Sequence, residues 1–340
     1  MLLVTCAVVI YLSCEWFVNA VEWLGRRLDV GPLAVGTILA AFGTALPESV
    51  VTFVAVVFGD SPQVKDIGVG AALGGPLVLA TIAYAVTGWM ILIRRRARAT
   101  ATVPGSTGIG PAISPSDDLG DPRKLARDQT WFLSIFIVKV VLGLVAFTVK
   151  PWLGLLFFAA YAVYFWREIR ADGERSGHDL DPLLLQRRRA TPQNWAVLIQ
   201  TLVTLAIIFV ASQLFVHQLD AIGPMLGLPA TVTALLLSPI ATELPEIMNA
   251  VIWVRQGKTP LALANISGAM MIQATVPSGL GLLFTPWLFD TALLLSGLAT
   301  MAAIGYLLIL LRTGRCTART MSLTAVFYLA FAACLIPVLS

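Results

Sequence analysis

The sequence predicts an all-α polytopic membrane protein, with ten transmembrane helices arranged as two inverted five-helix repeats. Of 340 residues, 58% are hydrophobic and only 12% charged, whereas a soluble domain carries about 25% charged residues. Apolar runs of about 18 or more residues recur, each long enough to cross roughly 30 Å of hydrocarbon. A short motif, T-x-L-P-E, occurs twice, at Thr44–Glu48 and Thr242–Glu246, 198 positions apart.

In chain order, the apolar runs place five spans at roughly 2–24, 30–58, 67–93, 130–149 and 151–166, and five more at roughly 195–216, 228–253, 261–285, 289–311 and 321–339. Only Lys150-Pro151 divides the fourth from the fifth. Loops on one side of this ten-span frame hold 20 Lys and Arg residues, against 2 on the other, Lys65 and Lys150. A miscounted span would scramble that asymmetry. The cationic side is expected in the cytoplasm, which puts both termini outside, in the plasma (inner) membrane. The first half then covers 1–166, with its repeat at about 30–93 and a Pro-, Gly- and Ser-rich cytoplasmic loop at 94–129. A charged central cytoplasmic loop, 167–194, leads to the second half, 195–340, whose repeat lies at about 228–285. The basic clusters in these loops read as topology signals beside anionic lipid. No basic region precedes the first apolar run, so no cleavable signal peptide is expected.

The two motif copies share more than five residues. At the same offset Gly59 meets Gly257, where both spans end, and a glycine-rich segment opens the next span in each half: "GVGAALGGPLVL" (68–79) and "LANISGAMMIQ" (263–273). A shorter connecting loop in the second half pairs Gly74 with Gly268. Five spans separate the copies, an odd number, so they run in opposite directions, as in transporters whose site lies at mid-membrane between inverted halves.

Each motif sets a proline beside a carboxylate inside an apolar run. Proline removes a backbone hydrogen bond and leaves a carbonyl one turn earlier free. Such carbonyls persist at membrane depth only where protein or a water-filled cavity covers them, and an ionised Glu there costs on the order of 3 kcal/mol. Glu48 and Glu246, the Thr44 and Thr242 hydroxyls one turn earlier, and the loosened carbonyls make an oxygen cage suited to a hard divalent cation such as Ca²⁺. The competing structural role is neutralisation of one Glu by Lys139, the one Lys or Arg within the spans; it cannot serve both.

With "EWFVNAVEWLGRRLDVGPLAVGTILAAFGTALPESVVTFVAV" and its inverted counterpart on the page, the chain resembles the cation/Ca²⁺ exchanger superfamily in its Na⁺/Ca²⁺ exchanger branch. Spans 1–3 and 6–8 carry the resemblance; the rest match in hydropathy. It implies alternating access, Glu48 and Glu246 as ion-binding acids, and Thr44 and Thr242 as helpers in Ca²⁺ binding. Ala45 and Glu243 stand where that family usually has Ser. Gly75, Pro76 and Leu79 replace its Ser, Asn and later Asn in the third span; Ala269, Met270 and Gln273 replace the corresponding residues in the eighth. The resemblance therefore supports divalent binding better than Na⁺ coupling. Gln273 remains a neutral ligand candidate. Glu243, three residues before Glu246 and nearly on its face, either carries a coupling proton or is solvated in a cytoplasmic vestibule.

Glu15 and Glu22 share a face of span 1 with Asn19 between them, either lining an access path or pairing with Lys139, with interhelical structural pairing favoured. Asn265 matches the family's Asn at the helix break. The four cysteines, Cys6, Cys14, Cys316 and Cys334, show no metal-ligand spacing. "GVGAALGG" lacks the Lys-Ser/Thr of a phosphate loop. No nucleotide, Ser-His-Asp or HExxH motif occurs, so an enzyme or a pump is not expected, and no cofactor beyond the transported ions. The expected partners are inorganic cations and the lipid bilayer, not nucleic acid. The function expected is a secondary antiporter exchanging Ca²⁺, or a similar divalent cation, for Na⁺ or H⁺. The alternatives are a cation-binding protein of the same fold that has lost or changed transport, and an intramembrane enzyme using its carboxylates.

Overall fold

The structure is a computed structural model and describes residues 2–58, 62–101, 119–170, 180–225 and 236–339. The helices are α1 (Leu2–Arg27), α2 (Ala41–Phe58), α3 (Pro62–Val78), α4 (Tyr84–Ala101), α5 (Pro122–Leu144), α6 (Gly154–Arg170), α7 (Asn194–Met225), α8 (Leu244–Gln256), α9 (Thr259–Phe284), α10 (Thr291–Arg312) and α11 (Ala325–Leu339). No strand occurs among the described residues. Among the described residues, six helical stretches are long and apolar enough to cross a membrane: Leu2–Arg27, Gly68–Ala97, Asn194–Gln218, Thr259–Phe284, Thr291–Arg312 and Ala318–Leu335. Pro32–Ala45 and Glu48–Phe58 add a seventh when this bent pair is taken as one span. Of the shorter helices, α6 and α8 have 17 and 13 residues. The chain is a multi-pass, all-helical membrane protein.

Helix α9 is the axis of the bundle. It is buried along most of its length and packs against α2, α3, α5, α6 and α8. Helices α1 and α7 pair lengthwise at the outside, where their exposed faces (Val4, Val8 and Leu12; Leu198, Leu202 and Val203) present the apolar surface that lipid requires.

The paired glycines explain how the two motif regions interlock. Helix α2 is preceded by a π-helical turn, Val35–Ala40, and α8 by a short helical turn, Ser238–Thr242. A Cβ on Gly268 of α9 would lie 2.1 Å from the Thr37 carbonyl oxygen. A Cβ on Gly74 of α3 would lie 2.8 Å from Pro239 Cγ. Each glycine lets the second helix of one motif pair close on the turn that precedes the other motif. Gly257 ends α8 at φ 87°, the left-handed region that glycine enters without steric cost; its aligned partner Gly59 lies outside the described residues.

The start of α5 differs from that expected. Asp121 caps α5, its carboxylate accepting from Arg123 N at 2.9 Å, and Pro122 takes the first helical position. Helix α5 therefore starts inside the stretch read as a loop to residue 129, because charge ends a hydropathic span without ending a helix. The first part of the span expected at 228–253 falls outside the described residues. Lys150 fixes the turn between α5 and α6, its ammonium donating to the carbonyls of Val145, Pro286 and Trp287.

Candidate cation site

Pro47 has no N–H to give the carbonyl of Gly43, and Pro245 none for that of Ala241. The first helix bends by 48° between Pro32–Ala45 and Glu48–Phe58. The second breaks at Glu243, whose backbone (φ −83°, ψ 3°) leaves the helical region before α8 begins. These breaks aim the motif side chains inward.

The structure brings Glu48, Glu243 and Gln273 together. Gln273 Nε2 donates to Glu48 Oε2 at 2.8 Å and to Glu243 Oε1 at 2.7 Å. One amide nitrogen on α9 thus joins an acid from each motif. Glu246 is buried beside them, with its carboxyl against the Thr44 hydroxyl of the other motif. Thr44 Oγ1 also donates to Ala40 O at 3.1 Å and Thr242 Oγ1 to Pro239 O at 3.1 Å. A hydroxyl whose proton goes to its own backbone turns lone pairs outward. Ala45 is fully buried and adds no oxygen of its own side chain.

Glu243 is 0% exposed. The vestibule reading is therefore wrong: the helix break turns this side chain into the protein. The oxygens thought lost from α3 are also replaced. A Cβ on Gly75 would lie 2.6 Å from Glu243 Oε1 and 2.6 Å from Gln273 Oε1. The room made by Gly75 is filled by two polar groups arriving from the second half.

Lys139 does not neutralise an acid of the motifs. Its ammonium, fully buried, donates to Ala72 O at 2.6 Å and lies 4.8 Å from the Phe136 ring centroid. Pro76 lies inside α3, and the carbonyl a helical proline leaves bare is that of the residue four earlier, Ala72. Lys139 satisfies it. Glu22 pairs between helices, though not with Lys139: its partners are Lys258 Nζ (2.6 Å) and Trp253 Nε1 (2.8 Å). Glu15 is exposed. Asn19 binds residues 181–184 through Asp181 O, Pro182 O and Leu184 N. Asn265 Nδ2 reaches Glu246 O at 3.4 Å.

Several buried polar atoms here have no protein partner: Glu243 Oε2, Glu246 Oε2, Gln273 Oε1, and both amide atoms of Asn249. Asn249 was missed from sequence; the available signal was its place three residues after Glu246 on the same face. Leaving one such group unsatisfied costs about 1–3 kcal/mol, and the oxygens of Glu243, Glu246 and Gln273 among them are ones that a ligand with positive charge could satisfy. Among the described residues no group of three or more His, Cys, Asp or Glu side chains is already arranged around a metal position; the Gln273 amide nitrogen stands between two of the acids instead.

The model of the family described as "Sodium/calcium exchanger protein" matches residues 1–169 and 196–336, taking in both motifs. The chain belongs to the sodium/calcium exchanger family. Its members exchange cations, and a cation antiporter is the activity this membership supports. "Putative antiporter CaxA" of Alkalimonas amylolytica is 25% identical over 285 residues, covering 82% of this chain and 79% of that protein. "Inner membrane protein YrbG" of Escherichia coli (strain K12) is 26% identical over 297 residues, covering 85% and 81%. Among solved structures, the sodium-calcium exchanger NCX_Mj soaked with 10 mM Na⁺ and zero Ca²⁺ superposes with a TM-score of 0.72 at 16% identity, covering 98% of this chain and 97% of that one. That likeness is one of fold. Of the eight positions at which the chain departs from the motif pattern implied by the resemblance, Gly75, Glu243 and Gln273 meet in the structure.

Proposed function

We propose that this exchanger moves Ca²⁺, or a similar divalent cation, against H⁺ by alternating access, its ten spans forming two inverted five-helix halves with both termini outside. The cluster of unsatisfied buried oxygens on Glu243, Glu246 and Gln273 carries the reading. Glu48 and Glu246 are the principal cation ligands, helped by the Thr44 and Thr242 hydroxyls. Gln273 bridges Glu48 and Glu243 with its amide nitrogen; turning the amide over presents Oε1 to the arriving ion. Glu243 is the coupling residue. Its deprotonation adds negative charge where the cation sits, and reprotonation removes that charge and releases the cation. Three carboxyl groups around one ion suit proton exchange better than Na⁺ exchange, because Ala45 and Gly75 contribute no side-chain oxygen to separate monovalent sites.

Uptake of labelled Ca²⁺ into inverted vesicles, driven by an imposed H⁺ or Na⁺ gradient, tests this. Glu48→Gln and Glu246→Gln are expected to abolish uptake, and Glu243→Gln to flatten its pH dependence. Survival of transport in both of the first two variants would overturn the site. An unchanged pH profile in Glu243→Gln would overturn the coupling role and favour Na⁺ as the counter-ion.

A further inference from the structure

Three consecutive arginines, Arg187, Arg188 and Arg189, remain after the cation site and the helix packing are accounted for. All three are exposed. Among the described residues none of their guanidinium groups has an ion-pair partner. As topology signals they need only be present. The structure instead shows them carried on a segment that is tied down.

That segment is clasped by α1 and α7. Leu183 is fully buried against Ala20, Trp23, Ala196 and Val197. Leu184 N donates to Asn19 Oδ1 and Leu185 N to Gln200 Oε1, at 3.0 and 2.8 Å. Trp23 Nε1 donates to Asp181 O at 2.9 Å. Beyond the arginines, Gln193 N donates to Gln186 Oε1 at 2.9 Å, and Trp195 Nε1 to Gln193 Oε1 at 2.7 Å. The side chains of residues 184–189 line an open depression of about 390 Å³.

Depth in the membrane follows from Trp195. It stands at the start of α7, on the face that continues through Leu198 and Leu202, and it is 53% exposed. An amphipathic ring capping a lipid-facing helix face belongs at headgroup level. The chain Gln186–Gln193–Trp195 sets the arginine turn beside it, with Leu185 also exposed. A guanidinium fork matches the paired oxygens of a phosphate.

We propose that the depression formed by residues 184–189 binds the phosphate headgroup of an anionic phospholipid of the surrounding bilayer. Arg187, Arg188 and Arg189 supply the charge, and Leu185 and Trp195 lie against the first acyl carbons.

The test is native mass spectrometry of the full chain in mild detergent, titrated with phosphatidylglycerol and, separately, phosphatidylcholine. Wild type is expected to hold one phosphatidylglycerol in preference to phosphatidylcholine. R187Q/R188Q/R189Q is expected to weaken that binding about a hundredfold, from several-fold per arginine. R187K/R188K/R189K keeps the charge and loses the forks, and is expected to bind several-fold more weakly than wild type. Equal binding of the two lipids by wild type would overturn the proposal. So would a lysine variant as tight as wild type, which would reduce the cluster to bulk charge. Displacement of the bound lipid by inorganic phosphate would also overturn it, by making a free anion the ligand.

Discussion

Replacing Gly75 by Ala puts one methyl group where two oxygens already sit. Its Cβ would lie 2.6 Å from Glu243 Oε1 and 2.6 Å from Gln273 Oε1, and ordinary contacts begin at 3.4 Å. Both oxygens must therefore retreat by most of an ångström. Glu243 Oε1 is held by Gln273 Nε2 at 2.7 Å, and a retreat of that size takes the bond beyond hydrogen-bonding range. The same amide holds Glu48 at 2.8 Å, so moving Gln273 disturbs both links. Hydrogen bonds to charged groups contribute about 1.5–3 kcal/mol each, which puts the loss at about 3 kcal/mol or more, about a hundredfold in an equilibrium. Gly75→Ala is expected to lower the thermal midpoint of the purified protein and to cut vesicle Ca²⁺ uptake by about that factor. Gly75→Ala with Glu243→Ala removes one of the two obstructing groups and should recover much of the stability, though not the pH dependence of transport. A single variant that behaves like wild type, or a double variant no more stable than the single, would show that the crowding at Gly75 does not organise the site.

Lys139→Met leaves the Ala72 carbonyl bare and should cost about 1–3 kcal/mol in a thermal unfolding assay; adding Pro76→Ala restores a helical N–H to that carbonyl and should return part of the loss. Gly268→Ala drives a Cβ to within 2.1 Å of the Thr37 carbonyl oxygen and should prevent recovery of monodisperse protein in size-exclusion chromatography, whereas Gly305→Ala, with open space around it, should leave the profile unchanged. Glu22→Gln, which uncouples Lys258 while keeping an acceptor for Trp253, should destabilise by about 1–2 kcal/mol, and the same change in a Lys258→Met background should cost clearly less.

The motif acids could be found from sequence because an acid beside a proline in an apolar run has few structural excuses, and finding two copies at one spacing removes most of those left. What the periodicity of one helix does not carry is which neighbour a side chain meets. Glu243 was placed on the right face, but its burial depends on the backbone break at its own position and on room made by Gly75, 168 residues earlier. Gly75 looks like a lost ligand when its own helix is considered alone, whereas Gln273 and Glu243 reach it from far along the chain. Lys139 invited pairing with a carboxylate because it was the one Lys or Arg in the spans. The group it actually serves is a bare carbonyl, created by a proline 63 residues away. Asn249 went unnoticed because a single amide in an apolar helix resembles an interhelical packing group. The end of α4 and the start of α5 were obscured for a simpler reason: hydropathy reports where lipid stops, and helices run on past it into charge.

The crossed closure of Gly74 on Pro239 and of Gly268 on the Thr37 carbonyl bears on how this protein can be repaired and divided. Damage at a glycine of one half is felt in the half it does not belong to. Compensating changes for a substitution at Gly268 are accordingly expected among residues 33–40, and for one at Gly74 around Pro239, rather than in the helix that carries the lesion. By the same token, the segments 1–166 and 195–340 made as separate chains should each lack a wall of the proposed cation site, and should regain it only when expressed together.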